Sequence, residues 1–143
     1  MYKKIFVPVD GSETAQRALQ EAATLAKEQG AKLHLAHVVE PLYHLAAETH
    51  GDFVRVVQRE AKKLVDDAAA LARGQGVEAS AAVVDSAGRR VAAAIAEEAK
   101  KAGADLIVMG THGARGFEHL VLGSVAEGVV RRATMPVMLI RAG

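Results

Sequence analysis

The run Ala104-Asp105-Leu106-Ile107-Val108-Met109-Gly110, followed by Thr111-His112-Gly113 and ten residues later by Gly123-Ser124, decides the fold class. Leu106 to Met109 is continuously apolar and ends abruptly at Gly110. A short run of this kind suits a strand covered on both faces, and such strands belong to parallel sheets between layers of helix. Just before it, Val91, Ala94, Ile95, Ala99 and Ala102 recur at helical spacing and stop at Gly103. Just after it, residues 110–122 read as a loop, a short helix is expected from about Ser124 to Arg132, and Pro136-Val137-Met138-Leu139-Ile140 reads as a last strand.

The same alternation runs back to the N-terminus. Ile5 to Val9 reads as a first strand, with Pro8 at its C-terminal edge because proline donates no ladder bond. Asp10-Gly11-Ser12 is a turn and capping cluster, and Ala15, Ala18, Leu19, Ala22, Leu25 and Ala26 then trace a helix stopped by Gly30. Leu33 to Val39 is a second strand. Residues 42–51 read as an irregular connection, and Phe53, Val56, Val57, Leu64, Ala68 and Leu71 mark a long helix ended by Gly74-Gln75-Gly76. Val77 to Val84 is a third strand, followed by the turn Asp85-Ser86-Ala87-Gly88. The order β-α-β-α-β-α-β-α-β implies an α/β fold: a doubly wound five-stranded parallel sheet with helices on both faces. With 143 residues and no shift in composition, residues 1–143 are expected to form one domain.

Composition narrows the function. Half of the residues are apolar and 29 are alanine and 18 valine, so the helices are expected to pack closely on the sheet. There is no cysteine, which excludes a disulfide framework and thiolate chemistry. The formal charge of +1 and an aromatic content of 3 % leave neither a basic footprint nor stacking platforms for nucleic acid. No apolar run approaches the ~18 residues of a membrane span, and no signal-peptide core is present, so a cytoplasmic location is expected. His34 and His37 are three apart on a strand and point to opposite faces, and no His-x-x-x-His pair exists, so no metal site is expected from histidine.

Chemistry in an open α/β sheet belongs beyond the carboxyl ends of the strands, where the strand order reverses. Two such ends stand out. Around Gly110, Gly113, Gly116 and Gly123, the backbone can approach an anion closely, and Gly123-Ser124 opens a helix whose unpaired N–H groups and positive dipole end favour negative charge. Ser124 adds a hydroxyl, and His112 and Arg115 are nearby candidates for charge-assisted contacts. At the other end, Asp10 suits either two hydroxyl hydrogen bonds from a ribose or a cap on the next helix, and both readings remain open. Neither Gly-x-x-x-x-Gly-Lys-Ser/Thr nor a Gly-x-Gly-x-x-Gly after the first strand is present.

Gly110-x-x-Gly113, nine residues, then Gly123-Ser124 resembles the nucleotide-binding signature of the universal stress protein family in its ATP-binding branch. Ile5-Phe6-Val7-Pro8-Val9-Asp10-Gly11-Ser12, the run from Ala104 to Gly110, and Met135 to Ile140 are similar to the same family, in the same order along the chain. The resemblance implies a sheet order of 3-2-1-4-5, which sets the first and fourth strands side by side. It implies that Asp10 holds the ribose, with Pro8 and Val9 beside the adenine and sugar and Val38 presenting its backbone to the adenine edge. Met109 and Gly110 would line the ribose side, and Gly113, Arg115, Gly116, Gly123, Ser124, Val125 and Ala126 would surround the phosphates. Residues 42–51, with His44 and His50, would form a flap, and His119 lies in a variable stretch without a fixed role.

The resulting expectation is a stress-response regulator that binds ATP, or AMP or ADP, with Mg²⁺ held by phosphate oxygens and water, and that acts through its conformation or its dimer surface. The resemblance also implies a homodimer through the last strand, Pro136 to Ile140, a sheet edge that is a liability if bare. A slow ATPase or a self-phosphorylating enzyme using Ser124 is the alternative in the same pocket. Hydrolysis needs a positioned base or water-holder; Glu118, His112 and His119 are the candidates, and none stands out. A scaffold with an empty pocket is the third reading, disfavoured by the intact glycine spacing.

Overall fold

The computed structural model describes residues 1–40, 47–112 and 122–141. Five strands, β1 (Lys4–Pro8), β2 (Lys32–Val39), β3 (Ala79–Asp85), β4 (Leu106–Gly110) and β5 (Val137–Ile140), alternate with four helices, α1 (Glu13–Gln29), α2 (Ala47–Gly74), α3 (Val91–Lys101) and α4 (Ser124–Arg132). All neighbouring strands are parallel, in the order β3-β2-β1-β4-β5.

Alternation along the strands sorts the core into two layers. Ile5 and Val7 of β1, Leu33 and Leu35 of β2, and Leu106 and Val108 of β4 face α1 and α2, where Ala18, Leu19, Ala22, Val65, Ala69 and Ala72 close over them. Phe6, Ala36, Ile107 and Met109 point the other way, onto Ala92, Ile95 and Ala99 of α3 and Ala126 and Val129 of α4. Right-handed crossovers account for this split. The chain steps from β1 to β2 to β3 in one direction, then crosses back through α3 to β4 and on to β5, so the last two helices fall on the opposite face.

Local signals set the element ends. Ser12 caps α1, accepting from the Ala15 N–H through its side chain, and Gly30 ends it at φ 70°, a left-handed conformation that glycine adopts without strain. Asp10 accepts from the Ser12 N–H at 2.9 Å, so it braces the turn while Ser12 caps the helix. Two boundaries depart from expectation. The helix before β3 begins at Ala47, so residues 47–51, expected to be irregular, are helical. Gly51 and Asp52 are exposed there, so no apolar period reports the extra turns. β3 begins at Ala79, two residues after the expected Val77, although Val77 is buried and the Glu78 carbonyl accepts from the Leu33 N–H. Among the described residues, no helix is long and apolar enough to cross a membrane.

Two features on the α3/α4 face lead to measurable expectations. A Cβ placed on Gly128 of α4 would lie 2.5 Å from the Ala92 Cβ of α3, and neither methyl has a rotamer to escape into. Alanine is the better helix former by ~1 kcal/mol, but overpacking of a close contact costs ~1–3 kcal/mol. Gly128→Ala is therefore expected to lower the urea midpoint, and adding Ala92→Gly is expected to relieve the clash. A Gly128→Ala protein more stable than the parent would contradict this contact.

The second feature is His34 on β2, which lies against the Phe6 ring at 5.6 Å between centroids, its Nδ1 2.7 Å from the Ser80 hydroxyl. Burial, and then the Lys4 charge, push its pKa below the ordinary 6.5, and the Glu98 carboxylate opposes them. The unfolded chain therefore takes up this proton at higher pH than the folded one. The contribution to stability is complete above pH 6.5 and is lost as the pH falls through that value towards the folded pKa. The melting temperature of wild type should fall more steeply than that of His34→Asn as the pH is lowered below 6.5. Parallel curves would remove His34 from the acid response.

Candidate nucleotide site

Winding reverses between β1 and β4. The chain leaves β1 towards α1 and leaves β4 towards α4 on the opposite face, so a crevice opens beyond their carboxyl ends. A cavity of about 670 Å³ occupies it. Pro8, Val9 and Asp10 line it from the end of β1, Val38 from β2, Met109 and Gly110 from β4, and Gly123, Ser124, Val125 and Ala126 from the start of α4. Ten of the residues singled out from the sequence are thus brought together. Gly113, Arg115 and Gly116, and with them Glu118, His119 and the flap residue His44, lie outside the described residues.

One wall is apolar. Ala36, Val38, Val91, Ile95 and Met109 supply it from the ends of two strands and one helix face. Val91 and Ile95 sit at i and i+4, so their helical period marked them in the sequence as core, and nothing in that period separates core from cavity wall. The opposite rim is polar. Asp10 is exposed and uses one oxygen on the Ser12 N–H, which leaves acceptor capacity on its carboxylate. His37 also lines the cavity, and its Nδ1 lies 2.7 Å from the Val9 carbonyl. A carbonyl accepts and cannot donate, so Nδ1 carries the proton. His37 was weighed in the sequence as a metal ligand and its position beside the crevice was missed. Among the described residues, no group of three or more His, Asp or Glu could hold a metal ion.

The third side is the start of α4. Gly123 is its N-cap at φ −71° and gives no side-chain cap, so the first-turn N–H groups of Ser124, Val125 and Ala126 have no partner from that side chain. All three residues line the cavity. The Gly123 N–H itself donates to the Thr111 carbonyl at 2.7 Å. A Cβ on Gly123 would lie 3.1 Å from that oxygen and 3.4 Å from the His112 Cα. Glycine here lets two backbone segments approach. Thr111 and His112 line the cavity too, with Thr111 Oγ1 3.0 Å from His112 Nδ1. The arrangement offers an apolar slot, a carboxylate and a helix N-terminus within one crevice. These suit a flat apolar ring, a hydroxyl pair and an anion in turn.

Comparison with known proteins agrees in fold and family. The sequence model of the universal stress protein family matches residues 1–141. A universal stress protein of Methanocaldococcus jannaschii is 35% identical over 144 residues, covering 99% of this chain and 83% of that protein. The structure of the universal stress protein from Archaeoglobus fulgidus in complex with dAMP superposes with a TM-score of 0.73 at 28% identity, covering 97% of this chain and 98% of that one. A universal stress protein in complex with cAMP does so with a TM-score of 0.73 at 25% identity, covering 99% of each chain. A family match over nearly the whole length, on a five-stranded sheet wound in this order, places the chain in the universal stress protein family.

Proposed function

We propose that the chain binds an adenine nucleotide, ATP in the first place and AMP or ADP as alternatives, and acts as a regulator through the bound state. The observation that carries the reading is the convergence of Asp10 and the uncapped α4 N-terminus on one crevice with an apolar wall. A cavity of about 670 Å³ is in the range of cofactor sites. The base lies against Val38, Val91 and Met109, the ribose hydroxyls donate to Asp10, and the phosphates meet the N–H groups of Ser124, Val125 and Ala126. Mg²⁺ arrives with the phosphates, held by their oxygens and by water. The complexes of related proteins with dAMP and cAMP support the same ligand class.

Isothermal titration with ATP, ADP and AMP tests this directly. Binding of at least one is expected, and no heat from any of them at millimolar concentration would reject the reading. Asp10→Ala is expected to weaken binding by about 1–3 kcal/mol, the scale of a charged hydrogen bond. Gly123→Val is expected to abolish it, because its side chain must displace either Thr111-His112 or the ligand. Wild-type affinity in Gly123→Val would place the ligand elsewhere.

We also propose a homodimer through β5. Among the described residues β5 pairs with β4 alone, so its other edge is open, and Met138 is exposed on it. An open apolar edge invites a second strand. Light scattering at micromolar concentration is expected to give twice the 15.0 kDa mass of the chain, reduced to the monomer in Met138→Lys. A monomer mass for wild type would count against the edge as an interface.

A further inference from the structure

Thr14 stands in the first turn of α1 and is buried at 6 % exposure. Its hydroxyl donates to the carbonyl of His112, 98 residues away in sequence. It also lies 3.4 Å from the Ser12 hydroxyl that caps the helix. The end of β4 passes directly against this side chain. A Cβ on Gly110 would sit 2.7 Å from both Thr14 Cβ and Thr14 Oγ1, so the approach requires glycine at 110. Beyond Gly110 the next two carbonyls divide their work. The Thr111 carbonyl accepts from the Gly123 N–H, and the His112 carbonyl accepts from Thr14. One segment of two residues thus joins the first turn of α1 to the residue that opens α4.

Resting on the nucleotide reading above, we propose that Thr14 is a positioning residue for the phosphate end of the crevice, acting through the 111–112 segment on the N-terminus of α4. Removing the hydroxyl takes this donor from the part-buried His112 carbonyl, which then re-forms its contacts with another donor or with water. Either change moves His112, and the Thr111 carbonyl that anchors Gly123 moves with it. The N–H groups of Ser124, Val125 and Ala126 then lose their fixed direction. The base and ribose depend instead on Val38, Val91, Met109 and Asp10, and Asp10 is held by the Ser12 N–H rather than by this hydroxyl.

Thr14→Val keeps the branched shape and removes the hydroxyl, and Thr14→Ser keeps the hydroxyl. Thr14→Val is expected to weaken ATP by about five- to tenfold, the scale of one hydrogen bond, while leaving adenosine affinity unchanged. Thr14→Ser should bind ATP within about twofold of wild type on the same scale. In the ligand-free protein, amide exchange at Gly123 should quicken in Thr14→Val and remain slow in Thr14→Ser. Thr14→Ala serves the same test if the valine methyl, set against Gly110, prevents folding. Unchanged ATP affinity in the hydroxyl-free variant would overturn the proposal. So would an equal loss for ATP and adenosine, which would make Thr14 a support of the whole pocket. If wild type binds no adenine nucleotide, the nucleotide reading has failed, and exchange at Gly123 still decides whether Thr14 holds the segment.

Discussion

The pairing of β1 with β4 is the constraint on which the rest depends. Ile5 faces Leu106 and Phe6 faces Ile107 in register, and both strands are buried on both sides. Once these two strands lie side by side, right-handed crossovers force the earlier helices to one face and the later helices to the other. The backbone leaving each strand must then turn away from its neighbour. The crevice is the space they leave, and it follows from the winding before any side chain in it is chosen. Even the base of the sheet secures this pairing. The Asp105 carboxylate accepts from the backbone N–H groups of Lys3 and Lys4, which fixes the entry to β4 against the entry to β1.

Above that frame the crevice is walled by elements with different tasks. β2 and α3 give it an apolar side, and the turn after β1 gives it a carboxylate. α4 begins there without a side-chain cap, whereas α1 is capped by Ser12. The contrast is informative, because both helices start at the same end of the sheet. α3 likewise starts without a side-chain cap, and its first residue, Val91, also lines the crevice. A helix start left open in this way presents first-turn N–H groups that are able to meet an anion.

Much of this was legible in the sequence for reasons that can be named. Leu106 to Met109 declares a strand covered on both faces because no polar residue interrupts it, and Gly110 and Gly123 flag the junction where backbones crowd. Asp10 stood out as a carboxylate at a strand end. Its two readings, cap or ligand contact, could not be separated there, because the Ser12 side chain that does the capping is just two residues away. Contacts across the fold were not legible. Nothing local to His37 shows that it reaches the Val9 carbonyl, and nothing local to Thr14 shows that it meets His112. Likewise the sequence from Ala47 to Asp52 carries no apolar period to announce a helix, so an irregular segment was read in its place. Periodicity reports which face of an element is covered, and it is silent on what covers it.

The alanine-rich interior has a further consequence, for how this protein tolerates change. About half of the buried hydrophobic side chains described are alanine, spread over every helix and both faces of the sheet. An interior of larger residues is damaged chiefly by truncation, which leaves voids. At the alanine positions there is little to truncate, and most substitutions there can only add volume to layers already in contact. Ala92 against Gly128 is the extreme instance. Genetic drift at these positions is therefore lopsided: nearly every exchange of an alanine arrives as a wedge, and at Gly128 even alanine does.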